Sequence, residues 1–229
     1  MSAELREKAL VRGDRRSSLA FYRVARGFLR LIVNPWLRLR AENTEVLNLP
    51  GPTILAPVHR SNLDSALLAT KSDRRIRALG KESLFTTPGV SYLCAALGAI
   101  PVRRGEADRD ALKAAKALLD RGESMIVFPE GGRQPGSTVG ELFDGAAWLA
   151  GKTGARVIPV GIAGTGAAMP EGAKFIKRST VAIVPGEPME APVGENGKRV
   201  HRDQLAEFTA RLQVELQKAQ DRAEALAAE

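Results

Sequence analysis

The residues best suited to acid–base chemistry are a histidine and an aspartate in APVHRSNLDS, residues 56–65. His59 is one of two histidines in the 229-residue chain, and Asp64 follows it by five positions. On one helix, five residues would turn their side chains about 140° apart. If His59 instead ends a strand and Asp64 begins a helix, the carboxylate can accept the imidazole N–H and fix the tautomer. The alternative is a polar turn in which Asp64 only favours the helix dipole.

The sequence gives less support to a serine nucleophile, a metal site or a reactive cysteine. The chain contains no Gly-x-Ser-x-Gly elbow, so Ser61 and Ser65 are not predicted to be nucleophiles. No second histidine or cysteine lies at ligand spacing, so we predict no metal site. The single cysteine, Cys94, lies in an apolar run and is expected to pack rather than react. The remaining role is a base that deprotonates a substrate hydroxyl directly.

A second stretch, SMIVFPEGGR at residues 124–133, is suited to binding phosphate. An apolar strand breaks at Pro129 and is followed by Glu130, two glycines and Arg133. Paired glycines expose backbone N–H groups, and the arginine fork fits a phosphate. We expect Glu130 to orient Arg133 or to accept a hydrogen bond from a hydroxyl. The alternative is an ordinary loop with a surface salt bridge.

Short apolar runs alternate with helical patterns along the chain. The pattern predicts strands at 53–59, 76–81, 99–103, 124–128, 156–160 and 180–184, and helices at 62–70, 83–97, 106–120, 145–152 and 202–227. This order predicts an α/β fold with one domain, whose mostly parallel or mixed sheet is covered by helices on both faces. We divide the chain into a basic amphipathic segment (1–45), an α/β domain (46–200) and a C-terminal helix (201–229). Cations follow the apolar strands at Lys81, Arg103 and Arg104.

The positive charge is concentrated at the N-terminus. The chain has a formal net charge of +8, and residues 1–40 hold ten Arg and Lys against three Asp and Glu. In this segment, arginines share one predicted helix face beside a broad apolar face, as in helices that lie in a membrane interface. The residues predicted to contact the membrane are Arg23, Arg26, Phe28, Leu29, Arg30, Ile32 and Trp36. The uncharged stretch 31–37 is too short to span a bilayer. A helix packed on the protein's own core is the alternative.

Taken in order, these blocks resemble the glycerolipid acyltransferase family, whose best-known members are 1-acylglycerol-3-phosphate acyltransferases. The resemblance covers about residues 45–190. It rests on the segments 58–64, 81–85, 98–104, 128–133, 157–160 and 186–188.

The resemblance implies a mechanism and a set of binding residues. His59, oriented by Asp64, would deprotonate the free hydroxyl of a lysophosphatidate-type acceptor, which attacks an acyl thioester directly to give phosphatidic acid. The residues implied to bind the acceptor or its phosphate are Lys81, Arg103, Arg104, Glu130, Gly131 and Arg133. Those implied to line the site are Ser61, Gly132, Val157 and Pro159.

The resemblance also implies which molecules the protein meets. The acyl donor would be acyl-CoA or an acyl carrier protein, with no metal or other cofactor. Because the acceptor and the acyl chain partition into lipid, the protein would bind peripherally to the cytoplasmic face of the cell membrane. Nucleic acid is not an expected partner, since the basic segment combines its charges with a broad apolar face.

The sequence departs from the family's usual pattern at Val58, Gly132 and Asp144, and these positions leave the acceptor head group open. The alternatives are an acyltransferase for another lysolipid or a glycolipid, and a membrane-surface binding module without catalytic activity.

Overall fold

One mixed sheet organises the protein. The computed structural model describes residues 2–103, 108–194 and 200–229, and within these ranges seven strands pair in the order β1-β7-β6-β2-β5-β3-β4. The strands are β1 (Arg40–Ala41), β2 (Thr53–Pro57), β3 (Ile76–Lys81), β4 (Ala99–Val102), β5 (Ser124–Ile126), β6 (Arg156–Ala163) and β7 (Ala182–Pro185). Strands β2 to β6 run parallel, whereas β7 is antiparallel to β6. The predicted α/β class with a mixed sheet is confirmed.

Helices alternate with the strands along most of the chain. They are α1 (Ser2–Gly13), α2 (Arg16–Phe28), α3 (Asn34–Trp36), α4 (Asp64–Thr70), α5 (Pro88–Ala96), α6 (Arg109–Asp120), α7 (Gly145–Thr153), α8 (Thr165–Ala168) and α9 (Arg202–Ala228). A π-helical turn, Leu29–Val33, joins α2 to α3. The single helix predicted at 83–97 is divided into a 3-10 turn, Glu82–Phe85, and α5. Pro88 explains the break, because proline fits the first turn of a helix but not its interior.

The core is built around β2, which lies between β5 and β6. Every residue of β2 is buried, as expected for a parallel strand that is covered on both faces. The helix that follows, α4, buries Leu67 and Leu68 in the same apolar cluster. Strand β2 and helix α4 therefore form a rigid strand–turn–helix unit, and the turn inside it carries His59.

The predicted C-terminal helix is present as α9, and it packs on the sheet. Phe208, Leu212 and Leu216 are buried in the main apolar cluster. The helix backbone approaches β6 so closely that a Cβ on Gly161 would lie 2.1 Å from the carbonyl oxygen of Ala219. Glycine is therefore required at this position of β6. Helix α9 thus fixes the strand that neighbours β2.

Candidate functional site

Several of the predicted site residues follow parallel strands that end at one edge of the sheet. His59 follows β2, and Glu130 follows β5, which pairs with β2. Lys81 is the last residue of β3 and pairs with Val102 of β4, just before Arg103. The carboxyl edge of an open α/β sheet is where such folds bind ligands. The strand ends therefore place His59, Lys81, Arg103 and Glu130 at the edge that the sequence predicted for them.

His59 and Asp64 form a buried pair. Asp64 is the first residue of α4, and its Oδ2 lies 2.9 Å from His59 Nδ1. The same oxygen accepts hydrogen bonds from the backbone N–H groups of Arg60 and Ser61, at 2.7 and 2.8 Å. Because the carboxylate only accepts, Nδ1 carries the proton and Nε2 is left as the basic nitrogen of the neutral ring. The predicted strand-to-helix geometry is confirmed.

Phe128 fixes the plane of the imidazole ring. The two rings stack with centroids 3.8 Å apart and an interplanar angle of 22°. The His59 side chain is 6% exposed, and that of Asp64 is fully buried. The ring is therefore held by a hydrogen bond at one nitrogen and by contact across its face. Phe128 stands in the block 128–133, but sequence reasoning gave it no role.

Glu130 has a different partner from the one expected. Its Oε2 accepts from Arg60 Nη1 at 2.8 Å and from the backbone N–H of His59 at 2.9 Å. Its Oε1 accepts from Arg60 Nη1 and from the backbone N–H of Gly140. Of the two roles predicted for Glu130, that of orienting Arg133 is therefore wrong. The carboxylate instead joins the loop after β5 to the backbone of His59. Sequence reasoning missed Arg60, although it lies beside the histidine.

The loop after β5 owes its shape to a glycine. Gly131 has a φ of +69°, and a Cβ there would lie 2.7 Å from the Phe143 ring. Gly132 has nothing within 4 Å of its Cβ position, so that side of the loop is open. Arg133 Nη2 lies 2.5 Å from Glu171 Oε1, and their side chains are 28% and 80% exposed. The arginine predicted to bind phosphate is thus paired with an exposed carboxylate.

The other predicted site residues divide into those near the edge and those in the core. Ser61 is buried and donates to the carbonyl oxygen of Met169 at 2.9 Å, which ties the turn to the end of α8. Arg103 donates its backbone N–H to Asp108, and its side chain is 49% exposed. Arg104 lies outside the described residues. Val157 needs correction: it pairs with Ile54, five residues before His59, and belongs to the core.

Pro159 packs against the late segment 186–188. It pairs with Ala56 in β2, and its carbonyl oxygen accepts from Gly186 N–H at 2.8 Å. A Cβ on Gly186 would lie 3.1 Å from the Pro159 ring. The segment 186–188 therefore packs on the strand beside β2, and its glycine is needed for close contact.

The N-terminal helices present apolar side chains to solvent. The exposed fractions are 58% for Phe28, 56% for Ile32 and 51% for Trp36. Arg26 and Arg30 also have a role within the protein that the helix pattern did not predict, since both donate to the carbonyl oxygen of Ser72. Among the described residues, no helix is both long and apolar enough to cross a bilayer.

These features define an α/β protein with a buried histidine–aspartate pair at the carboxyl edge of its sheet. A family model described as Acyltransferase matches residues 38–163, which is more than half of the sequence, and the chain belongs to that family. The matched range contains both the histidine block and the loop after β5. The family predicted from the sequence blocks is confirmed.

Two named relatives come from plants. The chain is 27% identical over 190 residues to a chloroplastic 1-acyl-sn-glycerol-3-phosphate acyltransferase of Arabidopsis thaliana, covering 80% of this chain and 52% of the relative. It is 29% identical over 169 residues to one of Brassica napus, covering 69% and 49%. The chain thus spans about half the length of these curated relatives.

A solved structure has the same fold. The 1-acyl-sn-glycerophosphate acyltransferase PlsC from Thermotoga maritima superposes with a TM-score of 0.71 at 24% identity, covering 90% of this chain and 81% of that one. The likeness extends beyond the range of the family model, since it covers most of the chain.

Proposed function

We propose that this protein transfers a fatty acyl group from an acyl thioester to the free hydroxyl of a lysophosphatidate, giving phosphatidate. The observation that carries the proposal is the buried pair of His59 and Asp64, whose geometry leaves Nε2 as the proton acceptor. The names of the relatives support the choice of acceptor, since each is a 1-acyl-sn-glycerol-3-phosphate acyltransferase.

The reaction follows from what the pair can do. Nε2 of His59 takes the proton of the acceptor hydroxyl as its oxygen attacks the thioester carbonyl. Asp64 stabilises the imidazolium that forms, because its carboxylate accepts the Nδ1 hydrogen. When the tetrahedral intermediate collapses, the carbon–sulfur bond breaks and the imidazolium returns the proton to the leaving thiolate. The acyl group thus passes directly to the acceptor without an acyl-enzyme.

Cations at the strand ends would bind the acceptor phosphate, which carries a charge of roughly −1.5 to −2 at neutral pH. Arg133 offers a planar fork, and Lys81, Arg103 and Arg104 follow the neighbouring strands. The N–H of Gly131 is donated to the carbonyl oxygen of Phe128 at 3.1 Å, so Gly131 would act by shaping the loop that carries Arg133. Glu130 would act through the loop, because its carboxylate is already bound by Arg60. We propose acyl-CoA or an acyl carrier protein as the donor, and no metal or bound cofactor.

One departure from the family pattern has a structural explanation. Asp144 stands where a basic residue is common, and its carboxylate accepts a hydrogen bond from the Thr209 hydroxyl of α9 at 2.7 Å. This aspartate therefore anchors the C-terminal helix. Gly132, the second departure, has open space at its Cβ position. This space favours a second candidate acceptor, a lysolipid with a larger head group.

We propose that the protein binds peripherally to the cytoplasmic face of the cell membrane through its N-terminal helices. Exposed aromatic side chains on two loops support this placement. Phe143, which contacts Gly131, is 69% exposed, and Phe175 is 83% exposed. The guanidinium of Arg178, on the same loop as Phe175, lies 5.9 Å from the Trp36 ring centroid. The loop and the helical face thus adjoin, so acceptor and acyl chain could enter from lipid.

The test is product formation by the purified protein with a panel of lysolipids and with palmitoyl-CoA or palmitoyl-acyl carrier protein. Mass spectrometry of the lipids should show phosphatidate from lysophosphatidate as the most rapidly formed product. A faster reaction with another lysolipid would reassign the acceptor. If no acceptor were acylated by either donor while the protein still bound vesicles, the binding-module alternative would replace the proposal.

A further inference from the structure

A basic cleft lies between the N-terminal helices and the end of α4, away from the site described above. Its volume is about 440 Å³, and its polar lining is Arg30, Asn34, Arg38, Thr70 and Lys71. The lining contains three cations and, among the described residues, no carboxylate. A concave surface with converging cations is suited to an anion.

The cleft is separate from the catalytic pair. Asp64 begins α4 and Thr70 ends it, so about 10 Å of helix lies between the two places. Asp64 contacts the imidazole at the carboxyl edge of the sheet, whereas Thr70 and Lys71 lie at the other end of the helix. A ligand in the cleft therefore cannot be the reacting group of the acceptor.

Arg30 is held in position before any ligand binds. Its Nε donates to the carbonyl oxygen of Thr70 at 2.6 Å, and its Nη2 donates to that of Ser72 at 2.9 Å. Asp73 lies 3.0 Å from the same Nη2, but its side chain is 80% exposed, so solvent weakens its effect on the charge. Arg38 follows the end of α3, with a φ of +44°, and lines the same cleft as Arg30 and Asn34.

Lys71 shows that the cations repel each other in the free protein. Burial of the ammonium group, and then the nearby charge of Arg30, lower the pKa of Lys71. An anion between the two would reverse the second effect, because an opposite charge favours the protonated form.

We infer that this cleft binds a phosphate mono- or diester, and its position favours the head group of a membrane lipid. Leu31 and Trp36, on the same turns as Arg30 and Asn34, are 76% and 51% exposed. The acyl chains of a lipid whose phosphate enters the cleft would be long enough to reach these side chains, since an extended fatty acyl chain is longer than the roughly 10 Å diameter of a helix. The choice of a lipid rests on the proposed membrane contact, whereas the phosphate chemistry does not. The cleft would thus anchor the protein to anionic lipid independently of catalysis.

The test compares two variants from which the same charge is removed. Arg38→Gln/Lys71→Gln removes two cations of the cleft, whereas Arg15→Gln/Arg16→Gln removes two exposed arginines at the start of α2. Arg16 and Arg30 are about 21 Å apart along the helical axis, more than twice the Debye length. Thermal melts serve as the control that both variants are folded. Binding is measured with phosphatidylcholine vesicles, with and without phosphatidylglycerol, and separately with inorganic phosphate.

We expect the cleft variant to bind the anionic vesicles about tenfold to thirtyfold more weakly than wild type, since each cation near such a surface contributes about fivefold. The control variant should lose much less. If only the response to inorganic phosphate depended on the cleft, the site would stand, with free phosphate as its ligand. Equal losses in both variants, with no phosphate response that depends on the cleft, would overturn the inference.

A failure of the proposed function would be distinguishable from a failure of this inference. The binding experiments involve no turnover, so they can succeed in a protein that does not acylate lysophosphatidate. Conversely, the cleft variant should retain wild-type acyl transfer to lysophosphatidate dispersed in detergent micelles, since neither substituted residue contacts the catalytic pair.

Discussion

Replacing Arg60 with methionine removes the guanidinium that holds the Glu130 carboxylate, and we expect Arg60→Met to destabilise the protein by about 3–5 kcal/mol. The two side chains are 7% and 0% exposed. Methionine keeps most of the apolar volume of the arginine, so the cost comes mainly from a buried charge that has lost its partner. Only the backbone N–H groups of His59 and Gly140 would remain to stabilise it.

The double variant Arg60→Met/Glu130→Gln separates the ion pair from the packing. It removes both charges, while the glutamine oxygen can still accept from one backbone N–H. We expect its cost to be about 2–3 kcal/mol less than the sum of the two single variants, as for residues within one buried network. The exposed pair of Arg222 and Glu42 offers a matched control, and Arg222→Met should cost at most about 1 kcal/mol.

The assay is urea unfolding followed by the fluorescence of the two tryptophans, Trp36 and Trp148. The slope of free energy against urea should be the same for all variants, so that midpoints report stability. A loss below about 1 kcal/mol for Arg60→Met would refute the reasoning. So would single-variant effects that add to within about 0.5 kcal/mol.

Three further predictions concern the cap of α6 and the loops at the site. Asp108→Ala should cost about 3 kcal/mol by urea unfolding, since Asp108 caps α6 and pairs with the buried Arg6. Gly132→Thr should leave stability within about 0.5 kcal/mol, because the space beside it is open, and should change the relative KM values of an acceptor panel. Glu171→Gln should lower the KM for lysophosphatidate about twofold to fivefold at unchanged kcat. The reason is that Arg133 would no longer exchange its ion pair with the Glu171 carboxylate for the acceptor phosphate.

The Asp108 prediction has a pH dependence whose sign is fixed by the structure. Burial opposes ionisation of Asp108, but hydrogen bonds from the N–H groups of Arg103 and Ala111 and the charge of Arg6 outweigh it and lower the pKa. Its stabilising effect is thus present above the ordinary pKa of about 3.9 and is lost as the pH falls through the folded value. Melts at neutral and strongly acidic pH should therefore converge for wild type and Asp108→Ala.

Each loop and cap prediction has an outcome that contradicts it. An undiminished gap at acidic pH between the Asp108 variant and wild type would mean that the charge is not the cause. A Gly132→Thr protein that unfolded more easily would show that the loop cannot accept a side chain. An unchanged or higher KM in Glu171→Gln would mean that this carboxylate positions Arg133 and does not compete with the acceptor.

Local patterns in the sequence were enough to predict that His59 and Asp64 are in contact. An apolar run that ends at His59 and a helical run that starts near Asp64 leave a short polar turn, and the chain cannot place the two side chains far apart. The strand ends likewise brought Lys81 and Glu130 to one edge, since parallel strands finish together. These inferences need only neighbouring residues and the rules of strand and helix geometry.

The missed features depend on contacts between distant parts of the chain. Arg60 and Glu130 are seventy positions apart, and no local pattern predicts which of several carboxylates an arginine will reach. The pairing of Arg133 with Glu171 is of the same kind. Val157 was assigned to the site from a family block, but the strand register, which the sequence does not encode locally, places it in the core.

The account depends most on His59 acting as the base, and the rate of thiol release from palmitoyl-CoA tests this most directly. The measurement compares wild type with His59→Ala, with and without lysophosphatidate. We expect release to require the acceptor and to fall at least about 10²- to 10⁴-fold in the variant, the range that general-base catalysis contributes. Release by a folded His59→Ala protein at a rate near that of wild type would contradict the account.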